Sequence, residues 1–187
     1  MVQMAILSAV VVVLQVLSYS IKLGTFNLSL VLIPIVLAGI LFSPKESSFL
    51  GLVFGIVTLI GCVIGADVGG NVLWLANPIM TTVVCLGKGA AAGCISGLCF
   101  KALKSKNQAA ATMTAAIVCP VVNTGLFFLF MATVFRDTLQ TWAGETDLLT
   151  YMILGLAGVN FLIELLVNLV FAPGISVIVK AVSANKK

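Results

Sequence analysis

The chain has 187 residues, of which 61% are hydrophobic and only 9% are charged. One soluble domain of this length could not bury so much apolar surface, so the bilayer must be its solvent. The net charge of +4 lies in connections and the tail, which indicates membrane topology and not binding of nucleic acid. There is no histidine, and the five cysteines lie in apolar runs without the paired spacing of a zinc site, so we expect no metal and no cofactor.

Six apolar runs approach the ~20 residues that a membrane-spanning helix requires. They predict an all-α integral membrane protein, a bundle of six transmembrane helices that forms one domain over residues 1–187. Apolar runs continue to the C-terminus, which argues against a signal peptide followed by a soluble domain. The predicted spans cover approximately residues 3–20, 28–42, 48–65, 82–103, 109–135 and 149–180.

The positions of lysine and arginine predict the orientation of these spans. Seven lysines lie in the second and fourth connections and in the C-terminal tail, whereas the opposite side carries Lys22 and Arg136. Because connections rich in lysine and arginine stay in the cytoplasm, both termini are predicted to be cytoplasmic. The two longest connections, 66–81 and 136–147, are then external, and each contains a tryptophan and glycines.

Trp74 and Trp142, in these two connections, allow two interpretations. Anchoring at the membrane interface is the more common role of such residues. However, a bundle with two elaborated loops on one face also suggests a lid, because binding loops are where connections lengthen.

Lys88 and Glu164 are ionisable residues deep inside apolar runs. A charge within the membrane is costly, so it faces the protein interior or a wet cavity and marks a substrate path or a structural ion pair. At a rise of ~1.5 Å per residue, Lys88, Asn123 and Asn160 reach a similar depth in the outer half of the membrane. They come from three different spans, and Thr124 follows Asn123. We therefore predict a substrate site where these side chains meet.

Two alternatives stay open at this point. Glu164 follows Asn160 by four residues and precedes Asn168 by four, so all three share one helix face. A Lys88–Glu164 ion pair that joins spans four and six is as well supported as a free ammonium that awaits an anionic ligand. Asn123 is equally compatible with a hydrogen bond to a neighbouring helix.

Small residues at intervals of four indicate close helix packing. Gly89, Gly93 and Gly97 form such a stripe on the fourth span, directly after Lys88. Ala5 and Ala9 form a similar stripe on the first span. Internal packing is the simplest explanation of both stripes, but the first span also has the surface that a partner membrane subunit would need.

Motifs of catalysis are missing from the sequence. It has no nucleotide-binding glycine loop and no serine–histidine or metal-ligand pair, so we predict that the chain binds or conducts and is not an enzyme. One rival is a stand-alone secondary carrier that uses Glu164 as an ion relay, although such carriers usually contain internal repeats that we do not see here. Another is a structural membrane protein whose buried polar residues serve helix packing alone.

Several short motifs occur in an order typical of one known family: Pro34 with Phe42-Ser43-Pro44, Asn77-Pro78 leading into Lys88 and Gly89-x-x-x-Gly93, and Pro120-Val121-Val122-Asn123-Thr124. Together with the small size, six predicted spans, cytoplasmic termini and the Ala5–Ala9 stripe, they resemble the substrate-binding S components of energy-coupling factor (ECF) vitamin transporters. The resemblance covers essentially the whole chain. The last two motifs are most similar to the branch that includes pantothenate- and folate-type members.

The resemblance implies a mechanism. An S component in the bacterial cytoplasmic membrane captures a vitamin from outside, in a pocket of helices four to six beneath the outer loops. It docks through the helix-one stripe, here Ala5 and Ala9, onto a transmembrane scaffold (the T component), which two cytoplasmic ATPases drive. The S component then topples within the lipid and carries its pocket to the cytoplasmic side. Lysine stands at position 88 where many relatives have arginine.

The charges of the predicted site favour a small monoanion. One ammonium and two amides suit pantothenate, which has one carboxylate together with hydroxyl and amide groups. Folate, with two carboxylates and a large ring, is the alternative, whereas cationic thiamine would require acids or an aromatic cage. The substrate-binding residues predicted on this basis are Lys88, Asn123, Thr124, Asn160, Asn77 and Trp74.

Overall fold

A computed structural model of the protein describes residues 2–20, 22–23, 26–27, 29–156 and 158–184. The described chain is helical apart from a two-stranded antiparallel hairpin. Leu28, at the predicted start of the second span, and Lys186 and Lys187 of the basic tail lie outside the described residues. The elements are α1 (Val2–Ser18), β1 (Lys22–Leu23), β2 (Phe26–Asn27), α2 (Leu32–Leu41), α3 (Pro44–Ile64), α4 (Val68–Ala76), α5 (Pro78–Leu103), α6 (Gln108–Thr133), α7 (Arg136–Ala143), α8 (Leu148–Thr150), a π-helix (Tyr151–Leu156) and α9 (Gly158–Ala184).

Three described helices, α3, α5 and α6, are long and apolar enough to cross a membrane. Leu148–Leu156 and Asn160–Ile175 pass the same test together, with a bend of 49° between them, and would make a fourth span. The apolar helices α1 and α2 have 17 and 10 residues, fewer than the ~20 of an untilted span. The all-helical membrane character is therefore confirmed, whereas the count of six spans and the cytoplasmic location of the termini remain predictions.

Two helices begin earlier than the apolar pattern predicted, because polar residues at their starts are caps. Ser43 accepts a hydrogen bond from the Lys45 N–H at 3.2 Å, and Pro44 then opens α3. Asn77 accepts from the Met80 N–H at 3.1 Å and precedes the first residue of α5. Proline suits such a first position, because its missing donor would have no partner there.

The connection 66–81 is largely helical, although its sequence suggested an irregular loop. Asp67 accepts a hydrogen bond from the Gly70 N–H at 3.0 Å and so caps α4. The second long connection contains α7, whose buried Leu139 faces the protein interior. Both connections predicted to be external are thus short helices packed onto the bundle.

The glycine stripe on α5 packs internally, as the sequence analysis favoured. Gly89 faces Gly51 of α3, and a methyl group on either one would overlap the carbonyl oxygen of the other. The same close approach joins Gly93 to the Ser47 backbone. This glycine contact brings the backbones of α3 and α5 together and sets the position of Lys88, which precedes Gly89.

Two apolar clusters make up the described core. The first joins α1, α2, α3, α5, α6 and α9 and contains Phe54. The second joins α4, α5, α6, α7 and the π-helix and contains Phe127. Because Phe54 and Phe127 both line the polar cavity described next, the cavity lies between these two clusters.

Candidate substrate-binding cavity

A cavity of about 70 Å³ lies among the helices. The side chains around it come from α1, α3, α5, α6, α9 and the segments before α2 and α4. Most of them are polar, which is uncommon between apolar helices. Five were noted in the sequence, Lys88, Asn123, Thr124, Asn160 and Glu164, and seven others complete the lining: Gln15, Ser29, Phe54, Thr58, Asp67, Phe127 and Phe161.

The lysine, the two asparagines and the glutamate from three predicted spans therefore reach one cavity. Lys88 comes from α5, Asn123 from α6, and Asn160 and Glu164 from α9. The similar depth predicted for Lys88, Asn123 and Asn160 rests on the regular rise of a helix, which sequence reasoning can use. That these side chains bind substrate remains a prediction.

The Lys88 ammonium lies beside aromatic rings. Its Nζ is 5.2 Å from the centroid of the Phe127 ring and 6.0 Å from that of Phe54. Ring faces attract a cation and stabilise it by about 0.5–2 kcal/mol, more when water is excluded. Within the described residues Lys88 has no salt-bridge or hydrogen-bond partner, so its N–H donors remain available in the cavity.

The Glu164 carboxyl group is buried and has a different partner. It accepts a hydrogen bond from the Ser29 backbone N–H at 3.1 Å. The Ser29 hydroxyl in turn donates to Gln15 Oε1 at 3.2 Å, which links α9 to α1. The Lys88–Glu164 ion pair that the sequence left open is not formed among the described residues. The Ser29 backbone N–H, which is distant in sequence, donates to one carboxyl oxygen instead.

Asp67 also lines the cavity, although it lies outside the membrane-spanning helices. Burial raises the pKa of its carboxyl group, and the Gly70 N–H and the Lys88 ammonium lower it in part. In the sequence, Asp67 is an acidic residue of the connection 66–81, which is predicted to be external. Its position before two glycines is a helix-capping signal, but that signal does not reveal which way the side chain faces.

The Asn123 amide is 6% exposed, and its buried side-chain oxygen has no hydrogen-bond partner in the described part of the chain. A buried polar group without a partner costs about 1–3 kcal/mol. Asn168 lies off the cavity, and its Nδ2 donates to the Glu164 carbonyl at 2.8 Å, although its Oδ1 also has no partner in the described part of the chain. The Asn123 side chain thus places an acceptor without a partner in the cavity wall.

Two predicted site residues do not line this cavity. Asn77 caps α5 with its side chain, and Trp74 is half-buried on α4. A smaller adjoining cavity of about 30 Å³ shares Lys88 and Asp67 with the larger one and does not include either residue. The partner-docking prediction concerns another surface, where Ala5 and Ala9 are exposed on α1.

Several lining residues escaped the sequence analysis. Gln15 and Thr58 are polar residues inside apolar runs, a signal that a search for isolated polar residues could have used. Ser29 gave a weaker signal, because it lies at the very start of the predicted second span and reaches Glu164 through its backbone N–H. Phe54 and Phe127 cannot be told from ordinary core residues by sequence.

A polar cavity between apolar helices, with an ammonium and an amide oxygen that have no hydrogen-bond partner in the described chain, is a candidate small-molecule site of a membrane protein. The family model of the ECF transporter substrate-specific component matches residues 1–176, so the chain belongs to this family. Its members are substrate-specific transport subunits and not enzymes, and they work with T components and ATPases. No curated protein and no solved structure gives a match to the chain.

Proposed function

We propose that this S component captures a small monoanionic vitamin, with pantothenate as the preferred candidate. It would take the vitamin from outside the bacterial cytoplasmic membrane and topple after docking on a T component driven by two ATPases. The observation that carries the anion assignment is Lys88, whose ammonium lines the cavity without a carboxylate partner in the described chain. A ligand carboxylate would supply the counter-charge that an ammonium within a membrane requires.

The acidic residues around the cavity are compatible with an anionic ligand. Burial raises the pKa of the Asp67 carboxyl group, and the Gly70 N–H and the Lys88 ammonium lower it in part. A raised pKa widens the pH range in which the carboxyl group is neutral and would not repel an anion. Glu164 is held by the Ser29 N–H on another wall.

Pantothenate fits the remaining polar groups of the cavity. Its hydroxyl and amide groups match the side chains of Asn123, Thr124 and Asn160, which line the same cavity. Folate is the alternative vitamin, but it carries two carboxylates and a large ring. The present volume of about 70 Å³ is small beside the ~300–1,000 Å³ of typical ligand sites, so entry of either vitamin requires the cavity to widen.

The first helix supports the docking part of the proposal. Ala5 and Ala9 are exposed on α1, whereas Val11, Gln15 and Ser18 are buried on its other side. Small exposed residues let another helix approach closely. A T component packed on this face would leave the cavity unobstructed.

Equilibrium binding with purified protein tests the vitamin assignment. We expect a clear heat of binding with micromolar pantothenate, and at least about tenfold weaker affinity after Lys88→Met, because one charge-assisted contact is lost. Lys101→Met is the matched control, since Lys101 is an exposed lysine on the same helix. No response to pantothenate beside a clear response to thiamine would contradict the proposal.

A second candidate function is a stand-alone carrier that uses Glu164 as a proton or ion relay, since this buried carboxyl group lines the cavity. Such a carrier would take up substrate in proteoliposomes that contain this chain alone and an imposed proton gradient. The S component requires co-purified T component and ATPases together with ATP. Uptake without these partners would favour the carrier.

A further inference from the structure

The cavity has hydrogen-bond acceptors that no described protein group uses. One oxygen of Glu164 accepts from the Ser29 N–H, and the other has no donor among the described residues. The Asn123 side chain forms no hydrogen bond within the described chain, and it is 6% exposed. A bound molecule that donates hydrogen bonds would remove the cost of leaving these groups unpaired.

The Glu164 acceptor and the Lys88 ammonium belong to different walls, and Asn123 lies on α6, on the Lys88 side. Lys88 lies beside Phe54 and Phe127, on the wall built by α3, α5 and α6. Glu164 lies beside Ser29, on the wall that connects α9 to α1. The absence of a salt bridge between the two within the described residues keeps both polar groups available to one ligand.

We infer that the ligand is bipolar, with a carboxylate for Lys88 and uncharged hydrogen-bond donors, hydroxyl or amide N–H, for Glu164 and Asn123. This inference rests on the proposed function and deepens it, because it makes Glu164 a specificity residue and not an ion relay. Uncharged donors fit better than a second ammonium, because the Lys88 ammonium in the same small cavity would repel another cation, and Asn123 and Thr124 in its lining are neutral. An acid with an apolar far end would leave both acceptors unpaired.

Glu164→Gln is the sharpest variant for this inference. Glutamine can still accept from the Ser29 N–H through Oε1, while its –NH₂ replaces the oxygen that faces the ligand. The substitution therefore changes an acceptor into a donor at nearly constant volume. We expect pantothenate to bind roughly 10- to 100-fold more weakly, the loss of one hydrogen bond to a charged group.

Comparing panthenol with pantothenate tests the two ends of the ligand separately. Panthenol has a hydroxymethyl group in place of the carboxylate and keeps the other hydroxyls and the amide. Lys88→Met should reduce the affinity for pantothenate and leave that for panthenol nearly unchanged. Glu164→Gln should reduce both affinities by the same factor. Glu145→Gln is the matched control, since Glu145 is an exposed glutamate.

Asn123→Leu provides an independent variant that does not depend on how Glu164→Gln folds. It replaces the unpaired amide by an apolar side chain of similar size, so we expect the fold to persist and pantothenate to bind at least about threefold more weakly. Helical circular dichroism and the unfolding temperature, measured on each variant, confirm that it is folded.

Two further acids are tested as ligands. Lipoate has no hydrogen-bond donor at the end opposite its carboxylate, and γ-aminobutyrate has an ammonium there. Weaker binding of both than of pantothenate supports the inference. Tighter lipoate binding, or unchanged pantothenate affinity in Glu164→Gln and Asn123→Leu, overturns it and leaves anion capture intact. Tighter γ-aminobutyrate binding overturns the assignment of uncharged donors. No binding of any acid overturns both proposals.

Discussion

The Lys88 ammonium lies 5.2 Å from the centroid of the Phe127 ring and forms no salt bridge with Glu164. An ion pair between Lys88 of α5 and Glu164 of α9 would have paired the two ionisable groups with each other and not with a ligand. The ring stabilises the cation without using its N–H donors, which ligand recognition would require. The contact between the ring and the ammonium can therefore be tested separately from ligand binding by the N–H donors.

The Lys88–Phe127 contact predicts a measurable coupling energy. A double-mutant cycle with Lys88→Met and Phe127→Leu should give about 0.5–2 kcal/mol, the contribution of a cation–π contact. The free energy of unfolding of the four proteins, measured by SDS titration in mixed micelles, supplies the cycle. Phe49→Leu is the control, because Phe49 is exposed. Additive effects of the two substitutions would show that the ring does not stabilise the ammonium.

The α3–α5 contact predicts opposite effects for two neighbouring glycines. Gly89→Ala places a methyl group against the Gly51 carbonyl oxygen and should cost about 1–3 kcal/mol or more. Gly87→Ala should instead stabilise α5 by about 0.5–1 kcal/mol, because a methyl group there meets nothing within 4 Å. Unfolding temperatures of the two variants test this contrast. Equal destabilisation by both would contradict the close approach.

Asp67 predicts a pH dependence of stability. Burial raises the pKa of its carboxyl group in the folded protein, so folding is favoured while this group is protonated. That contribution is complete below the ordinary aspartate pKa of ~3.9 and is lost as the pH rises through the raised value. The facing Lys88 ammonium and Gly70 N–H reduce the effect without reversing it.

Asp67→Asn isolates this pH dependence, because asparagine still caps a helix but does not titrate. We expect the unfolding temperature of the variant to approach that of the wild type in acid and to exceed it increasingly as the pH rises. Scanning calorimetry between acidic and neutral pH gives the comparison. A wild type that gains stability over the variant with rising pH would mean that the carboxyl group prefers its charged form.

The Gln15–Ser29 hydrogen bond predicts a non-additive pair of substitutions. Gln15→Leu leaves the buried Ser29 hydroxyl without its acceptor and should cost about 1–3 kcal/mol. Adding Ser29→Ala removes the unpaired group and should recover part of that loss. Thermal unfolding of the three variants measures the recovery. A double variant less stable than Gln15→Leu alone would show that the bond contributes little.

The exposed Ala5–Ala9 stripe on α1 predicts that a substitution there weakens docking on the T component without changing vitamin binding. Ala9→Leu should reduce recovery of the T component and ATPases in co-purification about tenfold, because a large side chain prevents close helix approach. Pantothenate affinity should not change, since Ala9 does not line the cavity. Val10→Leu serves as the control, because Val10 is an exposed apolar residue of the same helix that does not follow the four-residue spacing of the Ala5–Ala9 stripe. Undiminished recovery would exclude this face as the docking surface.

The helical parts of the site were accessible to sequence reasoning. Lys88, Asn123 and Asn160 were placed at one depth because a helix rises by the same amount at each residue. The family follows from motif order over the whole chain, and the matching family model confirms it. The short helix α4 was missed, because Asp67 and Asn77 have the composition of a loop although both are caps.

The sequence by itself determined that this is an apolar helical membrane protein with a few costly polar side chains, because burial of so many apolar residues requires lipid. Only the tertiary structure decided which neighbour each polar group received. Lys88 lies beside Phe127, Glu164 accepts from the Ser29 backbone, and Asp67 faces inward. Such contacts depend on the rotation of packed helices and on a backbone N–H distant in sequence, neither of which residue spacing specifies.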